Sequence, residues 1–381
     1  MLVFDDAAGG PRTHAIVIGI GAYPHLLGGT PGDARDTFGL KQLSSPPVSA
    51  LCFANWLLTE FENPTAGLGS LELLISMGDT PVDYKNPRTG TEHRLALPTK
   101  AAIKTAVRAW KQRADTHPDN ITVFYFCGHG LARGEEVALL ARDFGDPGAT
   151  TLENAIDFDA LRLGMEACTA RRQCYFIDAC RNEPQRLQGL KTMGDNQILD
   201  PDLSIIHARD RDYPVFYATA RDHQAHAIPG GVSRFTEALL CALRGAGSDD
   251  PDGTWVVDTL SLSKGICGSL ALGNRRRGVP QQRAKAGGND AGFKLHHIRG
   301  EPHVPVMIGC QPPHGNALAR LSIAGRAGST DYEPDAEGWQ VQLLADRYAL
   351  AVHFPGRQFR DANDELQVRP PYRCKKIGVQ P

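Results

Sequence analysis

The chain has 381 residues, enough for one large core with a smaller module beside it, and a formal charge of −2 from 41 Lys plus Arg against 43 Asp plus Glu. That balance supplies no field for a phosphate backbone, and nowhere do the roughly 18 successive apolar residues of a membrane span occur, so neither nucleic acid nor membrane is an expected partner. The 40 Gly and 26 Pro follow no period, which excludes collagen-like and linker architectures and leaves a loop-rich globular chain.

In chain order, an apolar β-branched run at 14–20 predicts the first strand. Gly19-Ile20-Gly21 at its end is only GxG and lacks the remaining glycine of a dinucleotide fingerprint. A helix follows over 48–61, a strand over 71–75 and a helix over 100–113 with Thr99 as N-cap. Trp56 and Trp110 occupy apolar positions of these helices and read as core. The next strand is 121–127 (ITVFYFC), with a further strand at 137–141 forming a hairpin beside it. Then come a helix over 158–168, strands over 173–178 and 214–218, helices over 236–243 and 260–272, and a strand over 292–296. The basic run at 274–285 reads as a solvated loop, and His296-His297 as structural.

Alternation of strands with helices of 10 to 15 residues predicts an α/β fold: a mostly parallel, six-stranded sheet flanked by helices, because parallel neighbours need long crossovers. From about 301 the pattern changes to short alternating segments at 304–308, 317–323, 338–344 and 348–354, divided by Pro, Gly and Asp turns. These predict a small C-terminal β-sandwich. The expected domains are 1–300 and 301–381.

Nine cysteines, at 52, 127, 168, 174, 180, 241, 267, 310 and 374, are odd in number and include no CxxC pair. No metal site, cofactor or disulfide framework is expected, and a reducing compartment fits best. His223-x-x-His226 has no further ligand at metal spacing. The opening MLVFDDAAGGPR is acidic and short of apolar residues, unlike a secretory signal, so a cytoplasmic location is expected.

Two strands run directly into polar groups. ITVFYFC leads into Gly128-His129-Gly130, and QCYFID leads into Ala179-Cys180-Arg181. Ligand sites of open α/β sheets lie at the carboxyl ends of strands, and adjacent strands are only about 4.8 Å apart. A thiol and an imidazole held there give a nucleophile and a general acid/base for acyl transfer. The glycines flanking His129 let a substrate backbone approach, and the N–H groups of Gly130 and Cys180 can form an oxyanion hole. Reading Cys180 as a small buried residue and His129 as a loop residue does not explain why both fall at one sheet edge.

FYFCGHG, FIDACRNEP and PVFYATA followed by GGVSRFTEALL resemble the caspase-like cysteine peptidases, and most of all their prokaryotic metacaspase and paracaspase-type members. A histidine about 50 residues before an Ala-Cys-Arg cysteine is a known caspase signature. The resemblance covers roughly 13–298. It implies a caspase-like sheet and hydrolysis of protein or peptide substrates, with Cys180 as nucleophile and His129 as base. It also implies that Asp178, two residues before the nucleophile, receives a basic P1 side chain, and that Ala218 and Ala220 help bind substrate. By family analogy it implies a bacterial proteolytic or immune signalling role with a regulatory protein partner.

The sequence departs from that pattern at one point. Val48-Ser49-Ala50 stands where many relatives carry a second acid, and 43–50 contains no arginine of the kind that binds aspartate in true caspases. Asp143, Asp146 and Asp222 are further acids on loops. The competing function is a catalytically silent caspase-fold scaffold that binds a protein partner, against which the intact Cys180 and His129 count. The 32-residue connection at 181–212 is long enough to be functional, and its Arg186, Lys191, Arg209 and Arg211 make it a candidate processing linker.

Overall fold

The apolar runs of the first half become strands covered on both faces, which is why they read as nearly unbroken hydrophobic stretches. The computed structural model describes all residues except 7–8, 30–36, 182, 185–186, 188–192, 195–197, 200–210, 220–229 and 277. Its first elements are β1 (Leu2–Asp5), β2 (Thr13–Ile20), α1 (Ser45–Thr59), β3 (Leu68–Ser76), the short pair β4 (Asp83–Lys85) and β5 (Glu92–Arg94), α2 (Lys100–Ala114), β6 (Ile121–Gly128), β7 (Gly130–Arg133) and β8 (Glu136–Leu140). They continue with β9 (Ala155–Asp157), α3 (Phe158–Gly164), β10 (Arg172–Ala179), β11 (Val215–Tyr217), α4 (Arg234–Cys241), β12 (Val256–Asp258), α5 (Thr259–Gly273), β13 (Lys285–Gly287) and β14 (Lys294–His297). The chain divides into two compact units, one of residues 1–237 with 282–293 and the other of 238–281 with 294–381.

The first unit is built on a seven-stranded sheet in the order β1-β3-β2-β6-β10-β11-β13. Its five inner strands are parallel and its two edge strands antiparallel. The sixth strand expected at 292–296 forms as β14 but pairs with β12, outside this sheet. The edges are supplied by β1 and β13, whose short sequences LVFD and KAG are partly exposed and carry no buried-strand signature. The hairpin expected beside the third inner strand exists as β7 and β8, and β9 extends it to three strands.

Successive side chains of the inner strands go to opposite faces. Ile16, Ile18, Phe124, Phe126, Tyr175 and Ile177 share a core with Ile103, Val107 and Trp110 of α2. Thr99 caps that helix, its hydroxyl accepting from the Ala102 N–H. On the other face Phe53 of α1 stacks on Tyr125 with centroids 4.7 Å apart and meets Phe176 edge-on at 5.6 Å. Burying one such ring is worth about 1.5–3 kcal/mol. Gly19 lies beneath α1, where a methyl group would come within 2.5 Å of the Ala50 Cβ, so glycine sets the close helix-to-sheet approach. Nucleotide binding is not needed to account for it.

The second unit contains the β-sandwich. Its strands are β15 (His303–Gln311), β16 (Arg320–Gly325), β17 (Gly328–Tyr332), β18 (Trp339–Leu344), β19 (Arg347–His353), β20 (Ala362–Gln367) and β21 (Arg373–Gly378). They form two sheets, β18-β15-β21 and β17-β16-β19-β20, around Val304, Val306, Ile308, Leu321, Ile323, Leu350 and Val352. Alternation of inward apolar and outward polar residues, as in β16 with its burial of Leu321 and Ile323, is what a one-sided sheet requires.

Candidate active site

β6 and β10 are parallel neighbours, and their register sets Gly128 opposite Ala179. His129 and Cys180 are the next residues along, so they leave the sheet side by side at its carboxyl edge. Gly130 closes the arrangement: a methyl group on it would lie 2.7 Å from the Cys180 carbonyl oxygen and 3.0 Å from the Ala179 Cβ. The two backbones approach this closely because glycine stands there.

His129 is 7% exposed and held on three sides. Its Nε2 is 2.6 Å from the Lys41 carbonyl oxygen. A carbonyl only accepts, so Nε2 carries the hydrogen and Nδ1 keeps the lone pair that a base needs. The His129 backbone N–H donates to the Tyr23 hydroxyl at 2.9 Å, and the Tyr23 ring sits 5.0 Å from the imidazole between centroids. Burial pushes the His129 pKa below 6.5, and the Lys41 bond opposes that shift in part. The imidazole is thus neutral at neutral pH. Cys180 is partly exposed, unlike the buried Cys127, Cys168 and Cys174. Burial raises the thiol pKa of each of those three, which keeps them protonated and unreactive.

Arg181, the residue after Cys180, is anchored inward. The Arg181 side chain is fully buried, its guanidinium lies 4.7 Å over the Tyr217 ring, and its Nη2 is 3.3 Å from the Glu135 carboxylate. Glu135 also meets Lys285 at 3.2 Å, and these two cations, Lys285 foremost, lower its pKa. Because Glu135 is largely exposed, solvent screens the pairing, and the ring contact with packing does most to hold Arg181.

Asp178 shares its sheet face with Phe176 and points toward the α1 and α4 side. It is 3% exposed. Its Oδ2 accepts from the hydroxyls of Ser233 and of Thr236, the latter at 2.7 Å, and the Cys127 thiol also bonds to the carboxylate. Burial raises its pKa, while these three donors oppose the rise. Ser49, at the position noted for its missing acid, is fully buried; its hydroxyl accepts from the Ser233 N–H at 2.9 Å and contacts Cys127. Among the described residues, the groups that bond to the Asp178 carboxylate are therefore hydroxyls and a thiol.

Ala218 follows β11, fully buried, with its N–H on the Ile177 carbonyl and its own carbonyl accepting from Gln282 at 3.0 Å. Ala220, Asp222, His223 and His226 lie outside the described residues, as do Arg186, Lys191 and Arg209 of the 181–212 connection. Within that connection Leu187, Met193, Ile198 and Leu199 are buried in the main core. Asp143 and Asp146 serve local structure, accepting from the Lys100 and Gly148 N–H groups. Among the described residues no three His, Cys, Asp or Glu side chains converge as a metal site would require, and no helix is long and apolar enough to cross a membrane.

Sequence reasoning missed Tyr23, Lys41, Ser233 and Thr236. Tyr23 stands three residues past β2, at the same sheet edge as His129, and its position was a usable signal. Lys41 acts through a backbone carbonyl, which any residue type supplies.

The caspase domain family model matches residues 12–258. The uncharacterized protein y4kE of Sinorhizobium fredii is 32% identical over 290 residues, covering 73% of this chain and 80% of its own. A protein of a Desulfuromonadales bacterium named as a probable protease is 26% identical over 247 residues, 61% of this chain but only 26% of that longer protein. Among solved structures, caspase-1 from Spodoptera frugiperda superposes with a TM-score of 0.43 at 15% identity, over 78% of this chain and 96% of that one.

Proposed function

The chain belongs to the caspase domain family, and from that premise we propose that it is a cysteine endopeptidase with Cys180 as nucleophile and His129 as general base. The observation that carries this reading is the register of β6 and β10, which brings the two residues out of adjacent strands together. His129 Nδ1 takes the thiol proton, and the Cys180 thiolate attacks the scissile carbonyl. The N–H groups of Gly130 and Cys180 hold the oxyanion. As the C–N bond breaks, the imidazolium gives its proton to the leaving amine; water, deprotonated by His129, then hydrolyses the thioester.

We further propose preference for Arg or Lys at P1. Asp178 supports it: a carboxylate near the nucleophile, held by hydroxyls and a thiol, gains its strongest available partner when a guanidinium or ammonium arrives. Ala218 and Ala220 complete the substrate-binding set, the 301–381 module is accessory, and a regulatory protein partner in a bacterial signalling cascade fits the family. The test is a panel of fluorogenic tetrapeptides varied only at P1, assayed with wild type, Cys180→Ala and His129→Ala. Cleavage after Arg and Lys by wild type, lost by several orders of magnitude in both folded variants, is expected. Undiminished turnover by either variant overturns the dyad, and a folded wild type that cleaves none of the panel favours the silent scaffold.

A further inference from the structure

The Gln42 side chain makes four hydrogen bonds within one turn of chain. Its Oε1 accepts from the Tyr23 N–H at 2.7 Å, and its Nε2 donates to the Tyr23 carbonyl at 2.8 Å, the Leu27 carbonyl at 3.3 Å and the Leu26 carbonyl at 3.4 Å. The loop that Gln42 clips is tied at its base by the Leu43 N–H on the Gly21 carbonyl at 2.9 Å, and higher up by the Leu27 N–H on the Leu40 carbonyl at 3.2 Å. Both arms of this loop reach His129. From one arm the Tyr23 hydroxyl accepts the His129 N–H and donates to the Leu140 carbonyl at 3.4 Å, while its ring packs on the imidazole. From the other, the carbonyl of the peptide between Lys41 and Gln42 accepts from His129 Nε2.

We propose that Gln42 and Tyr23 are positioning residues that set the tautomer and orientation of His129, a proposal that rests on His129 acting as the base. The physical argument is one of shared atoms. The peptide unit that fixes Nε2–H is the one that carries the Gln42 side chain, and that side chain is bonded on both sides to the backbone of Tyr23. Moving either residue moves the carbonyl and the ring that face the imidazole. Without them Nε2–H loses its acceptor, the Nδ1–H tautomer becomes populated, and the lone pair is turned away from Cys180. Tyr23 is fully buried, and burial raises its pKa, so it remains a neutral phenol able to accept and donate at once.

Two variants and two readouts test this. Gln42→Met keeps length and removes every hydrogen bond; Tyr23→Phe keeps the ring and removes the hydroxyl. With histidine ring nitrogens labelled by 15N, wild type is expected to show His129 as the Nε2–H tautomer above its titration, and each variant to show a mixture. On a peptide that wild type cleaves, kcat should fall roughly 10- to 100-fold with KM changed less than about 2-fold, because a displaced base costs turnover and leaves ground-state binding alone. A Tyr23→Phe protein serves should Gln42→Met fail to fold. Variants with the wild-type tautomer and wild-type kcat overturn the proposal. Should wild type cleave no peptide, the peptidase reading fails by itself, and the tautomer measurement still decides whether Gln42 and Tyr23 orient the ring.

Discussion

The Nε2 atom of His129 lies 2.6 Å from the carbonyl oxygen of Lys41, 88 positions earlier in the chain. That contact assigns the ring hydrogen to Nε2 and leaves the lone pair on Nδ1. In the proposed mechanism it also stabilises the imidazolium formed when the Cys180 thiol gives up its proton, as a carboxylate does in other triads but with a neutral dipole.

The titration of His129 follows from its burial. Its pKa is pushed below 6.5, so the imidazole stays neutral as the pH falls past the point where a solvated histidine would protonate. In the Cys180→Ala protein, where no thiolate couples to it, an NMR titration of His129 should have its midpoint below 6.5. A midpoint at or above 6.5 would show that the Lys41 bond outweighs desolvation.

Gly130→Ala should damage stability and activity together. The added methyl meets the Cys180 carbonyl oxygen at 2.7 Å and the Ala179 Cβ at 3.0 Å, so one of the two strand ends must give way. Overpacking of this kind costs about 1–3 kcal/mol, and here the displaced atoms belong to the backbone of Cys180, the proposed nucleophile. Urea unfolding and peptide turnover are the measurements; a variant matching wild type in both would mean the strand ends are free to separate.

Asp178 can be separated into its two roles by paired substitutions. Asp178→Ala leaves the Ser233 and Thr236 hydroxyls without their acceptor, a loss of about 1–3 kcal/mol in the unfolding free energy. Asp178→Asn keeps an acceptor and the shape but removes the charge. Cleavage after Arg should fall much more than cleavage after Leu in this second variant, and an equal fall for both substrates would make Asp178 a buttress of α4 alone.

His14 predicts an acid-labile fold. Its ring is buried, with Nδ1 on the Ser70 hydroxyl at 2.8 Å, and burial first, then Arg113 and Arg12, push its pKa down to about 4. The folded value is below the unfolded 6.5, so the unfolded chain binds the extra proton. Stability is therefore complete above about 6.5 and is lost as the pH falls toward 4, by an amount on the order of 2 kcal/mol. Urea midpoints of wild type and His14→Gln at pH 7 and pH 4.5 check this: wild type should lose stability relative to the variant, and parallel curves would refute it.

Much of the architecture was legible because its causes are local. The inner strands announce themselves as apolar runs since both their faces are covered, and α2 begins where Thr99 offers a cap. The edges were not legible. Residues 294–297 carry the same signature as an inner strand, yet they pair with β12, while β13 joins the main sheet through three residues with little apolar content. Strands β20 (ANDELQ) and β21 (RCKKIG) escaped notice because they cover their sheets with one or two apolar residues each. Pairing is a choice among distant partners, and it leaves no periodicity in the segment that makes it.

For the site the division is the same. By itself the sequence determined that a histidine between two glycines and a cysteine after an alanine, each placed directly after a buried strand, share one sheet edge, because strand ends and glycines are written in residue types. Only the tertiary structure decided which ring nitrogen of His129 is basic, since the group responsible is the backbone carbonyl of Lys41 and every residue has one. It alone decided that Asp178 is met by Ser233 and Thr236, 55 and 58 positions away, because hydrogen-bond partners are chosen by distance in space and not along the chain.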